Sequence, residues 1–173
     1  MKTLILAAAF AFVSFCTLYA QDIVQVSTPV AQALQRNFAG ASQIRWQKTG
    51  PLYLAQFQYN SGFWLAYFDD QGAMAASGRK IASIDQLPVA VQRGFTQLQR
   101  KQERKYGTFE VGAPYELVME NSGGTQYFLP IENSRISMMT TSDASGNTAI
   151  RTKRIKNTPA TPAPDMVASS NHH

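Results

Sequence analysis

A chain of 173 residues carrying a net charge of +5, with 45% hydrophobic residues, is sized for one domain or two small halves. It can bury a core, because a mature chain near 150 residues hides roughly 68–70% of its unfolded surface. The charge is moderate and no dense Lys/Arg stripe is interleaved with aromatics, which argues against nucleic acid as a partner. The single cysteine, Cys16, and the two histidines, His172 and His173, stand near the chain ends, so no Ser/His/Asp or Cys/His nucleophilic arrangement can be built in the middle.

Residues 1–20 read as a secretory leader. Lys2 supplies the positive start, Leu4 to Phe15 the apolar stretch, and Leu18-Tyr19-Ala20 a cleavage site. The apolar run is short for a span of ~20 residues, so cleavage near Ala20 is expected, with no stable membrane insertion afterwards. Phe15 before Cys16 fits a lipidation site badly. Cleavage leaves a cysteine-free chain in an oxidising compartment, periplasmic or extracellular, where stability must come from packing rather than disulfides.

After a short lead-in, Ser27 or Thr28 can cap a helix and Pro29 suits its first turn. Val30, Leu34 and Phe38 then share one face, and Gly40 stops the helix. Ser42 to Lys48, Leu52 to Tyr59 and Phe63 to Asp69 read as three antiparallel strands. They are rich in β-branched and aromatic residues and separated by the turns Lys48-Thr49-Gly50-Pro51 and Asn60-Ser61-Gly62. Asp69-Asp70-Gln71-Gly72 turns into a fourth strand ending at Ile81. A second helix begins near Leu87-Pro88 with the stripe Leu87, Val91, Phe95 and Leu98. Its basic end, Arg100-Lys101-Gln102-Glu103-Arg104-Lys105, offsets the helix macrodipole. Strands resume at Thr108 to Val111, Tyr115 to Asn121, Thr125 to Glu132, Arg135 to Thr141 and Thr148 to Ile155. Residues 157–173 are Pro-, Ala- and Ser-rich and read as a disordered tail.

The two halves echo each other. Asp69…Gly72 matches Asp143…Gly146, and Arg79-Lys80-Ile81 matches Lys153-Arg154-Ile155, at one common spacing. Upstream, Pro29-Val30-Ala31 matches Pro88-Val89-Ala90. The expected fold is α+β. Two tandem helix-plus-antiparallel-strand repeats, about 27–81 and 84–155 within a domain spanning 21–156, form one sheet with helices packed on one face.

Thr28-Pro29-Val30, Phe38, Ile44-Arg45-Trp46, Tyr53-Leu54-Ala55-Gln56-Phe57, Ala66-Tyr67-Phe68-Asp69 with Gly72, and Leu87-Pro88 together form a pattern. It resembles that of bacterial secreted PepSY-like proteins, also described as β-lactamase-inhibitory-protein-like (BLIP-like). The resemblance spans roughly Ser27 to Ile155 and is strongest before Phe95. It implies helix-plus-four-strand units, often in tandem, with helices on one sheet face. Inhibition of a β-lactamase belongs to the namesake branch and is not carried over.

No enzymatic activity and no cofactor are expected. Adjacent Asp69 and Asp70 would point to opposite sides of a strand and suit a turn better than a shared proton. Asp143-Ala144-Ser145-Gly146-Asn147 lacks the alternating acids and the closing Glu of a calcium loop. Alternation separates Trp64 and Phe68 from Phe63, Leu65 and Tyr67, and Tyr53 and Phe57 from Gln56 and Gln58; the resemblance implies that Tyr53, Phe57, Trp64 and Phe68 lie under the helices. Phe63, Leu65 and Tyr67 then lie on the open face beside Arg45, Gln56 and Gln58. Aromatic residues exposed on a sheet and ringed by polar ones suit protein recognition, and these six residues form the candidate partner-binding surface for an envelope or extracellular protein. The alternative is a small apolar ligand held between sheet and helices.

Overall fold

The computed structural model describes residues 24–120 and 122–156. The expected leader (1–20), the tail (157–173), Cys16, His172 and His173 lie outside the described residues. Helix α1 (Thr28–Asn37) precedes four strands, β1 (Ser42–Thr49), β2 (Leu52–Tyr59), β3 (Gly62–Phe68) and β4 (Met74–Lys80). A single 3-10 turn at Ile84–Gln86 leads into α2 (Val89–Tyr106). Then come β5 (Glu110–Val111), β6 (Tyr115–Met119), β7 (Thr125–Glu132), β8 (Ile136–Asp143) and β9 (Thr148–Ile155). The strands form one antiparallel sheet in the order β1-β2-β3-β4-β6-β7-β8-β9, and β5 pairs with β7 beyond the end of β6. The fold class is α+β, as expected.

Local chemistry explains the elements. Pro29 sits in the first turn of α1, where its missing N–H costs nothing. Ser27 makes no capping bond; its hydroxyl donates instead to the Asp70 carbonyl at 3.3 Å. Gly40, at φ +90°, supplies the left-handed residue that ends the segment. The buried face of α1 packs Val30, Ala33 and Leu34 against Ala55, Phe57, Ala66 and Phe68. Phe38 stacks into the same layer, 4.8 Å from Phe57 and 5.5 Å from Tyr59 between ring centroids. Leu87, Val91 and Phe95 of the second helical region cover Tyr127, Leu129, Ile131, Ile136 and Met138 in the same manner.

The two Asp/Gly turns are built alike. Asp69 Oδ1 accepts the N–H groups of Gln71 (3.0 Å) and Ala73 (2.8 Å). Asp143 Oδ1 accepts those of Ser145 (2.9 Å) and Asn147 (3.0 Å). Each turn presses its glycine onto a helix. A Cβ on Gly72 would fall 2.7 Å from the Pro29 carbonyl oxygen, and one on Gly146 2.3 Å from that of Ala90. The sequence match of Pro29-Val30-Ala31 with Pro88-Val89-Ala90 does not carry into this packing. Val30 is fully buried but Val89 is 66% exposed, so Val91 and Ala90 take the places of Val30 and Pro29. The longer α2 begins two residues later relative to its turn than the matching letters imply.

The central seam is β4 against β6, with Ala76, Gly78 and Lys80 opposite Met119, Leu117 and Tyr115. Gly78 allows the closest approach. A Cβ there would lie 2.1 Å from the Glu116 carbonyl oxygen and 3.0 Å from Leu117 Cα. On the helix side Arg79 bridges the seam to Glu116 at 3.0 Å. Because those clashes are with backbone, the seam must open to admit any side chain. Gly78→Ala should therefore lower stability in urea unfolding by about 1–3 kcal/mol. Gly124→Ala, which meets only the Ser122 hydroxyl at 3.4 Å, should stay within about 0.5 kcal/mol of the parent. Equal effects from the two would remove the seam from this account.

Candidate functional site

Both helices contribute to clusters on one side of the sheet, and the cluster on the other side contains no helical residue. That second side is laid out by register. One row runs Arg45, Gln56, Leu65, Gly78, Leu117, Gln126, Asp143 from strand to strand. Gln58 and Phe63 pair in the row on one flank. Leu54, Tyr67, Ala76 and Met119 form the row on the other. The six candidate partner-binding residues therefore share one face and three consecutive rows, while Tyr53, Phe57, Trp64 and Phe68 lie on the helix side.

Their exposure differs from expectation. Arg45 is exposed and Gln56, Gln58 and Phe63 are half-buried. Leu65 and Tyr67, expected to meet solvent, are 0% and 2% exposed. They belong to an apolar cluster with Leu52, Leu54, Ala76, Tyr115, Leu117, Phe128 and Met139, drawn from six strands. The residues opposite Tyr67 and Leu65 on β4 are Ala76 and Gly78. Their small size leaves room for the larger side chains to pack toward β6. Single-strand alternation groups residues by face but does not show how far neighbours fill it.

The Tyr67 hydroxyl is buried with no hydrogen-bond partner among the described residues. Burial, and then the neighbouring Tyr115, push its ionisation far above the ordinary tyrosine range. Burial also raises Tyr115. Beyond Tyr115 the same face holds a cleft of about 330 Å³. The break between β5 and β6 (Gly112, Ala113) forms one wall, and Lys80, Pro130 and Met139 contribute to the rest. Glu110 and Glu132 face each other at its rim, and Lys156 relieves that repulsion through a 2.9 Å ion pair with Glu132. Sequence reading left these residues out. The Gly112-Ala113-Pro114 interruption marks the break, but only pairing to β7 shows that it opens onto the same face.

Asp69 and Asp143 are engaged in their turns. Besides its two backbone bonds, Asp143 accepts the Asn147 side-chain amide at 2.8 Å. The Asn147 bonds, supported by the backbone of Ser145 and Gly146, hold its carboxyl below the usual range. Among the described residues no group of three His, Cys, Asp or Glu side chains could hold a metal ion, and no helix is long and apolar enough to cross a membrane. The layer between helices and sheet, where a small apolar ligand was the alternative expectation, is occupied by the aromatic and aliphatic side chains of the two helix-side clusters.

No family model and no curated protein matches the chain. Solved structures do. A BLIP-like protein from Bacteroides fragilis NCTC 9343 aligns over 82% of this chain and 95% of its own, with TM-score 0.55 and 21% identity. The chain has the BLIP-like fold. A DUF2874 family protein from Bacteroides uniformis ATCC 8492 shares this fold over 76% of this chain and 90% of its own (TM-score 0.60, 17% identity). A protein from Bacteroides eggerthii DSM 20697, provisionally described as periplasmic, shares it over 76% and 89% (TM-score 0.61, 14% identity). At these identities the likeness is one of fold. Within the BLIP-like fold, the face described above is the sheet surface turned away from both helices.

Tyr67 provides a direct probe of that face. Its raised ionisation means that folding holds the hydroxyl neutral while the unfolded chain ionises near pH 10. The folded state is thus favoured fully below pH 10 and loses stability as pH rises above it. Tyr67→Phe should remain as stable as the parent or gain about 1 kcal/mol at neutral pH, because it removes an unpartnered buried group. It should also lose less stability between pH 9 and pH 11 (roughly the window around the free tyrosine value) in denaturant titrations. An unchanged alkaline slope would show the hydroxyl to be solvated.

Proposed function

We propose that this chain is a noncatalytic binding module of the bacterial cell envelope that engages a protein partner through the helix-free sheet face. One observation carries the reading. A contiguous apolar cluster occupies a sheet face to which no helix contributes, bordered on β1–β3 by the accessible groups Arg45, Gln56, Gln58 and Phe63. The cluster is 0–7% exposed and supports the face from within, and an accessible aromatic beside polar groups suits a recognition surface. Leu65 and Tyr67 form its floor, and the accessible four make the contact.

Export by a leader over 1–20 and a periplasmic or extracellular site of action fit this role, and so does the periplasmic description of the Bacteroides eggerthii relative. The use of Asp69 and Asp143 in turns supports a binding rather than a hydrolytic role. We also infer that 27–81 and 84–155 are two copies of one helix-plus-four-strand unit, the second carrying the two-residue β5 in addition. The matched Asp/Gly turns and the matched glycine-to-helix approaches favour common descent over chance. A small-ligand role draws support only from the cleft beside Tyr115, on the same helix-free face.

A photo-crosslinking residue at Gln58 should capture an envelope protein in cells, and the same residue at Arg93, on the exposed side of α2, should not. Arg45→Glu with Phe63→Ala should abolish the Gln58 adduct while leaving the thermal melt within a few degrees of the parent. Equal adducts from both positions would defeat the assignment to this face.

A further inference from the structure

The outer edge of the second half carries a charge distribution that the sheet-face reading does not use. α2 holds five basic residues and one acid, Glu103, while β9 holds three basic residues and no acid. Each half of that pattern has an ordinary explanation. Cations at a helix C-terminus offset its dipole, and charges on an edge strand discourage sheet-to-sheet association. Neither explanation requires the two sets to converge, and they do converge. Ala90 and Gly94 lie against the β8–β9 turn, and Lys101 and Lys105 continue the same helical row toward the far end of β9.

There Tyr106 is shared between two ammonium groups. Lys153 of β9 donates to its hydroxyl and lies 4.3 Å from the ring centroid, and Lys105 lies 5.3 Å from that centroid. Arg79 pairs with Glu116 and Lys156 with Glu132, and among the described residues no ion pair is formed by Lys105 or Lys153. Two like charges held around one hydroxyl without a carboxylate repel each other, and an external anion would relieve that repulsion.

The neighbours of this pair select among anions. Residues of β9 opposite the helix-side residues of β8 are Ile155, Lys153 and Ile150, paired with Ile136, Met138 and Thr140. Ile155 is 71% exposed and Ile150 37%, so a cation is flanked on one side of the strand by two accessible aliphatic side chains. A single-stranded nucleic acid would ask for open aromatic faces on which bases stack. Tyr106 is the aromatic residue of this patch, and the Lys153 ammonium sits over its ring. A bilayer surface asks for basic groups at headgroup depth with apolar side chains between them.

We propose that the α2–β9 edge, centred on Lys105, Lys153 and Ile155, docks reversibly on anionic phospholipid bilayers, holding the protein at a membrane surface without insertion. This surface is separate from the helix-free sheet face, so a docked molecule leaves that face open to its partner.

Vesicle co-sedimentation with the full chain tests the proposal, using phosphatidylcholine vesicles with and without phosphatidylglycerol. Binding is expected only to the anionic vesicles, weakening as salt is added. Lys105→Glu/Lys153→Glu should reduce it about 25-fold or more, taking ~1 kcal/mol per basic group near the surface. Arg36→Glu/Lys48→Glu changes net charge equally at other places and should leave it within about twofold of the parent. Lys105→Gln/Lys153→Gln, milder for folding, should show the same direction, with far-ultraviolet circular dichroism confirming that every variant is folded. Ile155→Ser should weaken vesicle binding without altering its salt dependence. Equal binding to both vesicle types, or equal losses in the two Glu double variants, would overturn the proposal. So would tighter binding to single-stranded DNA than to anionic vesicles with the same dependence on Lys105 and Lys153, which would make the edge a nucleic-acid surface.

Discussion

One sheet runs through the whole described fold because β4 and β6 pair along their length, and at Gly78 the two strands come closer than a side chain would allow. A Cβ at Gly78 would lie 2.1 Å from the Glu116 carbonyl. Each helix packs on its own group of strands, α1 over β2 and β3, α2 over β7 and β8. Without the seam each half would expose a strand edge and the flank of an apolar face, a combination that invites aggregation. The same small residues, Ala76 and Gly78, let Leu65 and Tyr67 pack toward Tyr115 and Leu117. One constraint thus sets both the continuity of the sheet and the filling of its helix-free side.

The two sides of the sheet solve different problems. Under the helices, aromatic rings fill the layer, with Phe38 in contact distance of Phe57, Tyr59 and Trp64. On the other side the cluster is shared among six strands and receives nothing from a helix. Its accessible border is polar at β1–β3 and gives way to a cleft at β5–β7. The long edge at β9 differs again, since its burden is charge rather than apolar area. Three surfaces of one small fold therefore have distinct chemistry, which permits partner contact and surface attachment to proceed at separate places.

The strands and helices were legible to within one or two residues because every boundary is a local event. Pro29 and Gly40 frame α1, Gly50-Pro51 and Asn60-Ser61-Gly62 close hairpins, and the two Asp residues cap their turns with their own carboxylates. Strand alternation also sorted Trp64 and Phe68 from Phe63, Leu65 and Tyr67 correctly, since a pleated strand sends successive side chains to opposite faces. What alternation could not supply was accessibility. Whether Tyr67 meets water depends on Ala76, Tyr115 and Leu117, which lie on strands that its own sequence neighbourhood does not mention.

The matching letters of the two halves illustrate the same division. Asp69 and Asp143 do the same work because a turn's hydrogen bonds are made within five residues. Pro29 and Pro88 do not, because the place of a helix over a sheet is fixed by which side chains fit beneath a distant glycine. The sequence by itself determined the elements, their turns and which residues share a face, all set by short-range backbone geometry and period. Only the tertiary structure decided which face is filled, where the cleft opens and that the cations of α2 and β9 meet at Tyr106, because these follow from contacts between segments that are tens of residues apart in the chain.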